Sequence, residues 1–210
     1  MDNFSYKHPR TGEWAHNQKS SVDRDASLTY IDPVWDRIDT KTDRVYKVLE
    51  IGYGRGFNAA EFANRAELSE KAKFHYVGLE PCPEILEPWP ANPPQCYEQF
   101  RPAWGKTVGK VKFPNFILEI LPFRAQSEKA YVFAPFDIVI VDLFSPSRHP
   151  EEWEPPFLDL LSSASSPGAI LTSYCCAKQF REGLVGSGWR VKVLKNIGWR
   201  DTLIARKGDI

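Results

Sequence analysis

Hydrophobic and polar positions divide the chain unevenly. Residues 1 to about 40 are polar, with scattered aromatics (Phe4, Tyr6, Trp14, Tyr30, Trp35) and no sustained period. They read as an arm with a short helix or two, ahead of a domain spanning residues 41–210. From Tyr46 the pattern changes. Tyr46-Lys47-Val48-Leu49-Glu50-Ile51 is strand-like and runs into Gly52-Tyr53-Gly54-Arg55-Gly56. Phe57 to Leu68 then predicts a helix, apolar at Phe57, Ala60, Phe62 and Ala63, with Asn58 as a candidate cap.

A second strand is expected over Phe74–Leu79, closed by Glu80. After it, Pro81, Pro83, Pro88, Pro90, Pro93 and Pro94 exclude one regular helix, because each proline lacks a donor and clashes with the preceding turn. Phe113–Leu121 reads as one strand. Phe136–Val141 is the clearest buried strand, β-branched and nearly free of polar groups, and it ends in Asp142. The pattern then predicts a helix from about Pro155 to Ser163, a strand over Ala169–Tyr174 and a helix from about Cys176 to Gly186. Two closing strands follow, Trp189–Leu194 and Thr202–Ala205, joined through Asn196-Ile197-Gly198-Trp199-Arg200.

Strands alternating with helices define an α/β fold: a mostly parallel sheet covered on both faces, with an antiparallel hairpin at the carboxyl end. In such sheets ligands sit at the carboxyl ends of the strands, near the point where strand order reverses. Gly52 to Gly56, Glu80, Asp142 and the residues after Tyr174 all fall at such ends.

Composition narrows the classes. The 210 residues are 42% hydrophobic and 26% charged, with 27 basic residues against 27 acidic ones. A mean hydropathy of -0.40 and no apolar run near membrane length exclude a spanning helix. The start, MDNFSYKHPR, has no apolar core behind a basic run, so no secretory signal is expected. Four cysteines without repeated spacing make neither a disulfide framework nor a zinc site, and His8, His16, His75 and His149 have no metal-ligand spacing. No metal and a cytoplasmic location are the expectations. Zero net charge argues against a general polyanion binder, yet charge is locally lopsided. Gln99 to Leu118 holds Arg101, Lys106, Lys110 and Lys112 and no acid, and Glu151 to Glu154 is an acidic cluster. From Gly168 to Ile210 eight basic residues face three acids, so a basic face and an ordinary solvated surface both stand open.

The glycine triplet follows a strand and opens a helix. Glycines let the backbone pass close to a ligand, and the helix-terminal N–H groups face it. Glu80, at the end of the next strand, can accept hydrogen bonds from both hydroxyls of a ribose. Together they point to a nucleoside-containing cofactor. The spacing G-x-G-x-G, with Phe57 after it and Glu50 two residues before the first glycine, resembles class I S-adenosylmethionine-dependent methyltransferases more than dehydrogenases. There the Glu50 side can receive the methionine ammonium. An acid at the end of a buried strand, as Asp142 is, can orient an amine beside the donor methyl and take up its proton; capping of the following helix is the other reading.

Asp142-Leu143-Phe144-Ser145-Pro146-Ser147-Arg148-His149-Pro150-Glu151-Glu152-Trp153 resembles the D-G-F-A-P-x-x-N-P-x-x-W signature of the methyltransferase domain of the tRNA 5-methylaminomethyl-2-thiouridine biosynthesis protein MnmC. Gly52-Tyr53-Gly54-Arg55-Gly56-Phe57-Asn58 is similar to that family's G-F-G-T-G-L-N, and Phe180-Arg181-Glu182-Gly183-Leu184 to its V-R-R-G-L. The resemblance covers residues 46 to 206.

It implies a Rossmann-like seven-stranded sheet and S-adenosylmethionine-dependent N-methylation of the 5-aminomethyl group on the tRNA wobble uridine, in a stand-alone form of the domain. It places Asp142 beside the amine, Glu80 on the cofactor ribose, and Glu50, Gly52, Tyr53, Gly54, Gly56 and Asn58 around the cofactor. Phe144, Pro146, Trp153 and Tyr174 are candidates for contact with the splayed base of the anticodon loop. Lys178 and Arg200, with Arg148, Arg181 and Lys195, are candidates for its phosphates.

The chain departs from the family where Pro122-Phe123-Arg124-Ala125 replaces an adenine-binding Gly-Asp, which leaves a backbone carbonyl or Glu119 for that contact. The same chemistry on another amine, in a metabolite or protein, and a non-catalytic nucleoside- or RNA-binding role are the alternatives.

Overall fold

The computed structural model describes residues 4–9, 11–15, 21–150, 153, 157–196 and 199–208. His16, the glutamates at 151, 152 and 154, the prolines at 155 and 156, and Ile197 with Gly198 lie outside the described residues.

Among the described residues eight strands form one sheet: β1 (Val45–Ile51), β2 (Lys73–Leu79), β3 (Gly109–Phe113), β4 (Phe116–Leu121), β5 (Phe136–Val141), β6 (Ser165–Ser173), β7 (Trp189–Leu194) and β8 (Thr202–Lys207). Their spatial order is β3-β4-β2-β1-β5-β6-β8-β7. Strands β4, β2, β1, β5 and β6 run parallel, while β8 is antiparallel to both β6 and β7. The closing hairpin is therefore as expected. The expected seven strands gain an eighth, β3, which lies just upstream of the stretch read as one strand over Phe113–Leu121; that stretch holds the last residue of β3, a turn and β4. Pro114-Asn115 turns the chain, with Asn115 at φ 55, and β3 returns antiparallel to β4. Asparagine tolerates this left-handed conformation better than a branched residue does.

The helices α1 (Val22–Ala26), α2 (Asp32–Trp35), α3 (Phe57–Glu67), α4 (Phe157–Ser163) and α5 (Lys178–Gly186) cover the sheet. Between α1 and α2, Ser27–Ile31 forms a π-helical turn. No helix among the described residues is long and apolar enough to cross a membrane. Alternate residues of a strand point to opposite faces, so Val48, Tyr76 and Phe116 pack with α3 and the α1–α2 stretch. Leu49, Val77 and Val139 pack with α4 and α5 on the other face. Phe62 centres the first layer, its ring 5.2 Å from Phe74 and 5.5 Å from both Trp35 and Tyr76. Truncating such a buried ring to alanine costs about 3–5 kcal/mol.

Strand order reverses between β1 and β5. Their carboxyl ends lie side by side, which brings Gly52 against Asp142.

Candidate active site

The glycine loop is held down on the sheet by its backbone. The amides of Gly52 and Tyr53 both donate to the Leu79 carbonyl, at 3.2 and 2.9 Å. Gly52 has φ 89, and a Cβ there would lie 2.4 Å from the Asp142 carbonyl oxygen, so no other residue fits this crossing. The Tyr53 ring is buried beneath the loop, against Gly56 on one side and Gly78 on the other. Gly56, at φ 77, is the N-cap of α3. Asn58 does not cap this helix. It lies in the first turn, and its side-chain amide donates to Glu50 Oε1 at 2.8 Å and to Asp142 Oδ2 at 2.9 Å. The other Glu50 oxygen accepts from the Tyr76 hydroxyl at 2.9 Å. Burial holds the Glu50 carboxyl well above the usual carboxylate range, against the pull of these donors.

Asp142 is fixed from both sides. The hydroxyl of Tyr30, itself fully buried, donates to Oδ1 while Asn58 holds Oδ2. Burial pushes the Asp142 carboxyl up to about 6, opposed by the Tyr30 hydrogen bond, the Arg200 charge and the Asn58 hydrogen bond. Burial and the Asp142 charge hold Tyr30 well above the usual tyrosine range, so it is a neutral donor. Arg200 stands next to this pair. Its Nε donates to Asp25 Oδ1 at 3.0 Å, Nη2 pairs with Oδ2, and its guanidinium lies 5.2 Å from the Tyr174 ring centroid. The Tyr174 hydroxyl donates to the Leu143 carbonyl at 2.9 Å.

Glu80 closes β2 as a buried carboxylate. It accepts from the amides of Gly54 (2.9 Å) and Cys82 (3.0 Å), one on each oxygen. Each oxygen has a second lone pair for another donor. Burial raises this carboxyl despite the two amides.

A cavity of about 370 Å³ opens over these groups, within the size range of small-molecule sites. Its far wall comes from the amino-terminal stretch, where Lys7 and Trp14 form a bridge and His8 and Glu13 pair through their backbones. That stretch is tied to the loop after β5. The Glu13 carboxylate accepts from the Ser145 amide at 3.1 Å and from its hydroxyl at 2.9 Å, and Thr11 Oγ1 lies 3.1 Å from His149 Nε2. The His8 ring sits 4.9 Å from Phe144 and 4.2 Å from His149.

Of the residues singled out from sequence, Gly52, Tyr53, Gly54, Asn58, Glu80, Asp142, Phe144, Tyr174 and Arg200 line this cavity. Glu50 lies behind Asn58, and Gly56 under the loop; neither is on the wall. Pro146, Trp153 and Lys178 also lie off it. Trp153 donates to the Phe144 carbonyl at 2.8 Å and packs 4.8 Å from the Phe180 ring, so it braces the loop that carries Phe144. Lys178 is exposed and pairs with Glu182 at 3.7 Å. Arg148, Arg181 and Lys195 bind, in turn, the Thr11 carbonyl, the Cys176 carbonyl and Asp201. Arg124 does line the cavity. Glu119 is not available to it, because its carboxylate is held on β4 by His75 and Lys110, at 2.9 and 2.7 Å.

Sequence reasoning missed Tyr6, His8, Glu13, Trp14, Asp25 and Tyr30. Their one signal was aromatic density in an otherwise polar segment.

The strand order, the glycine loop after β1, the buried acid after β2 and the acid ending β5 define the S-adenosylmethionine-dependent methyltransferase class. The residues present fit that cofactor: glycines where a side chain would collide, a buried carboxylate with spare lone pairs, and a cavity of suitable volume. A family model described as S-adenosyl-L-methionine-dependent methyltransferase matches residues 84–207, and the chain belongs to that family. S-adenosylmethionine is its cofactor.

Within the class, the chain is 27% identical over 165 residues to the tRNA 5-methylaminomethyl-2-thiouridine biosynthesis bifunctional protein MnmC of Chromobacterium violaceum, covering 70% of this chain and 24% of that protein. The MnmC of Ectopseudomonas mendocina is 26% identical over 174 residues, covering 74% and 26%. The chain thus spans about a quarter of the length of these curated relatives. Its fold matches the crystal structure of MNMC2 from Aquifex aeolicus with a TM-score of 0.81 at 24% identity, covering 96% of this chain and 66% of that one. A S-adenosylmethionine-dependent O-methyltransferase from Thermotoga maritima gives 0.52 at 13% identity, covering 89% and 66%. The resemblance to the MnmC methyltransferase domain is therefore met in both sequence and fold.

Proposed function

We propose that the protein N-methylates the 5-aminomethyl group of the wobble uridine in tRNA, with Asp142 as the group that orients the amine and receives its proton. The observation that carries this reading is the Asp142 carboxyl, fixed by Tyr30 and Asn58 at the wall of a cavity that Phe144 and Tyr174 also line. The relatives' name, with its 5-methylaminomethyl product, supports the choice of acceptor.

An aliphatic amine has a pKa near 10 in water and arrives as an ammonium ion, without a free lone pair. Asp142, ionised above a pH of about 6, attracts that ion, and the two donors keep the carboxylate from turning away. When the proton passes to Asp142 Oδ, the nitrogen lone pair is released in place. S-adenosylmethionine, when bound, supplies a methyl carbon activated by a sulfonium. Gly52 and Gly54 would pass their backbone beside it, Glu80 would accept from its ribose hydroxyls, and Asn58, with Glu50 behind it, would face its amino-acid end. Phe144 and Tyr174 offer faces for the uracil ring. In this reading residues 1–40 are an arm, and Tyr6, Glu13 and Tyr30 from it complete the site of the 41–210 domain.

The test is methyl transfer from labelled S-adenosylmethionine to tRNA from a strain that lacks its own aminomethyluridine methyltransferase. The expected product is a labelled wobble nucleoside. Label confined to a free amine or a protein, with tRNA unlabelled, overturns the assignment of the acceptor.

A further inference from the structure

Of the eight basic residues from Gly168 to Ile210, Arg200 belongs to the site above. Three others, Arg190, Lys192 and Arg206, gather at a second cavity, of about 500 Å³, at the opposite end of the sheet. Arg37, Arg44, Arg190, Lys192 and Arg206 line it, with Asp137 as the single acid among the described residues there, over a floor that includes Ile170 and Ile204. The acid is already engaged. Asp137 accepts from Arg44 Nη2 at 2.7 Å and from the Lys47 amide at 3.0 Å. Arg37 donates to the Pro33 carbonyl at 2.7 Å, which leaves its charge uncancelled. Among the described residues the side chains of Arg190, Lys192 and Arg206 have no hydrogen-bond or ion-pair partner.

Two features go beyond a solvated surface. Arg190 and Arg206 are direct cross-strand partners in the β7–β8 ladder. Like charges placed opposite each other are destabilising in the absence of an anion between them. Arg190 and Lys192 also share one face of β7 and are exposed, about 7 Å apart along the strand. A row of cations at that repeat suits successive phosphates of a polymer better than one small anion, and arginine forks bind phosphate oxygens in pairs. From Tyr46 at the groove to Gly52 at the glycine loop is six residues of strand, roughly 20 Å.

We infer that this groove is a second phosphate-binding surface that holds the helical stem of the RNA whose loop enters the catalytic cavity. The inference rests on the tRNA reading above for its substrate.

The experiment measures binding, not methyl transfer. Affinities of the full chain for unmodified tRNA, an anticodon stem–loop transcript and the loop alone as a short single strand are titrated against salt. The expected result for the double variant Arg190→Ala/Arg206→Ala is a loss of about tenfold or more on tRNA and on the stem–loop. Its salt slope should fall by about 1.4–1.8, following about 0.7–0.9 for each of two phosphate contacts. Binding of the short strand and of S-adenosylmethionine should be unchanged. Melting temperature checks the fold, and Lys106→Ala/Lys112→Ala removes two exposed charges elsewhere as a control.

Equal losses in the control, an unchanged salt slope, or no tRNA binding by the wild type each overturn the inference. So does adsorption to phosphatidylserine vesicles in place of RNA. A wild type that binds the stem–loop through these arginines yet does not methylate tRNA leaves the inference standing and removes the proposed acceptor. Full methylation with an unaffected double variant does the reverse.

Discussion

Asp142→Asn keeps the shape of the side chain and removes its charge, and it should move stability and activity in opposite directions. The Asp142 carboxyl lies at about 6 in the folded protein against an ordinary value of 3.8. A raised acid is charged at a cost, and the difference of about two pKa units corresponds to about 3 kcal/mol at most. That cost is present in full above pH 6, shrinks as pH falls from 6 toward 3.8, and vanishes below it. The asparagine variant escapes it but gives Asn58 a weaker, neutral partner, which lowers the expected gain to about 2 kcal/mol. For a chain of this length that is about 4–8 °C in melting temperature. The assay is thermal unfolding of both proteins from pH 5 to 8, with methyl transfer measured alongside. Turnover should fall by about two to four orders of magnitude, while the variant melts higher than wild type at pH 7.5 and the gap narrows toward pH 5. A variant less stable than wild type at pH 7.5, or a gap that does not change with pH, would refute the account of Asp142 as a desolvated, reluctantly charged group.

Three further outcomes follow from the same geometry. Tyr30→Phe removes a hydrogen bond that lowers the Asp142 pKa, so the acid limb of the pH–rate profile should move upward from about 6, and an unmoved limb would detach Tyr30 from Asp142. Glu80→Ala should weaken S-adenosylmethionine binding by about tenfold to a hundredfold in calorimetry, because ribose acceptors and the anchor for the Gly54 and Cys82 amides are lost together; wild-type affinity would place the ribose elsewhere. Gly52→Ala should destabilise the protein by about 2 kcal/mol or more in urea unfolding and abolish cofactor binding, since its Cβ would lie 2.4 Å from backbone oxygen; a stable, binding variant would mean that the loop is free to lift.

The central strands were legible because burial on both faces leaves an apolar run: Phe136–Val141 was bounded to the residue, and β1 and β2 to within one. The β3–β4 hairpin was not, because β3, Gly109–Phe113, is a largely exposed edge strand whose two lysines leave it without an apolar run. In the site, Gly52, Glu80 and Asp142 could be read because each follows a strand and the chemistry needs a group there. Asn58 was read as a cap, as its residue type suggests, whereas its side chain turns back toward the sheet to join Glu50 and Asp142. Tyr30 and Asp25 were invisible for a different reason. They meet Asp142 and Arg200 across separations of 112 and 175 residues, and no local pattern encodes a contact of that kind.

The Tyr53 ring, set between Gly56 and Gly78, has a consequence for how this sequence can change. Positions 53, 56 and 78 share one volume: a Cβ at Gly78 would lie 2.4 Å from the ring and one at Gly56 2.5 Å from its hydroxyl. A larger residue at Gly78 is accommodated only together with a smaller one at 53, so these two positions vary as a pair, whereas at Gly56 the left-handed backbone, φ 77, strains any other residue even when that space is made. In a mutant library positions 53 and 78 should be randomised together, since one-at-a-time scanning would register two intolerant positions where there is a single shared constraint.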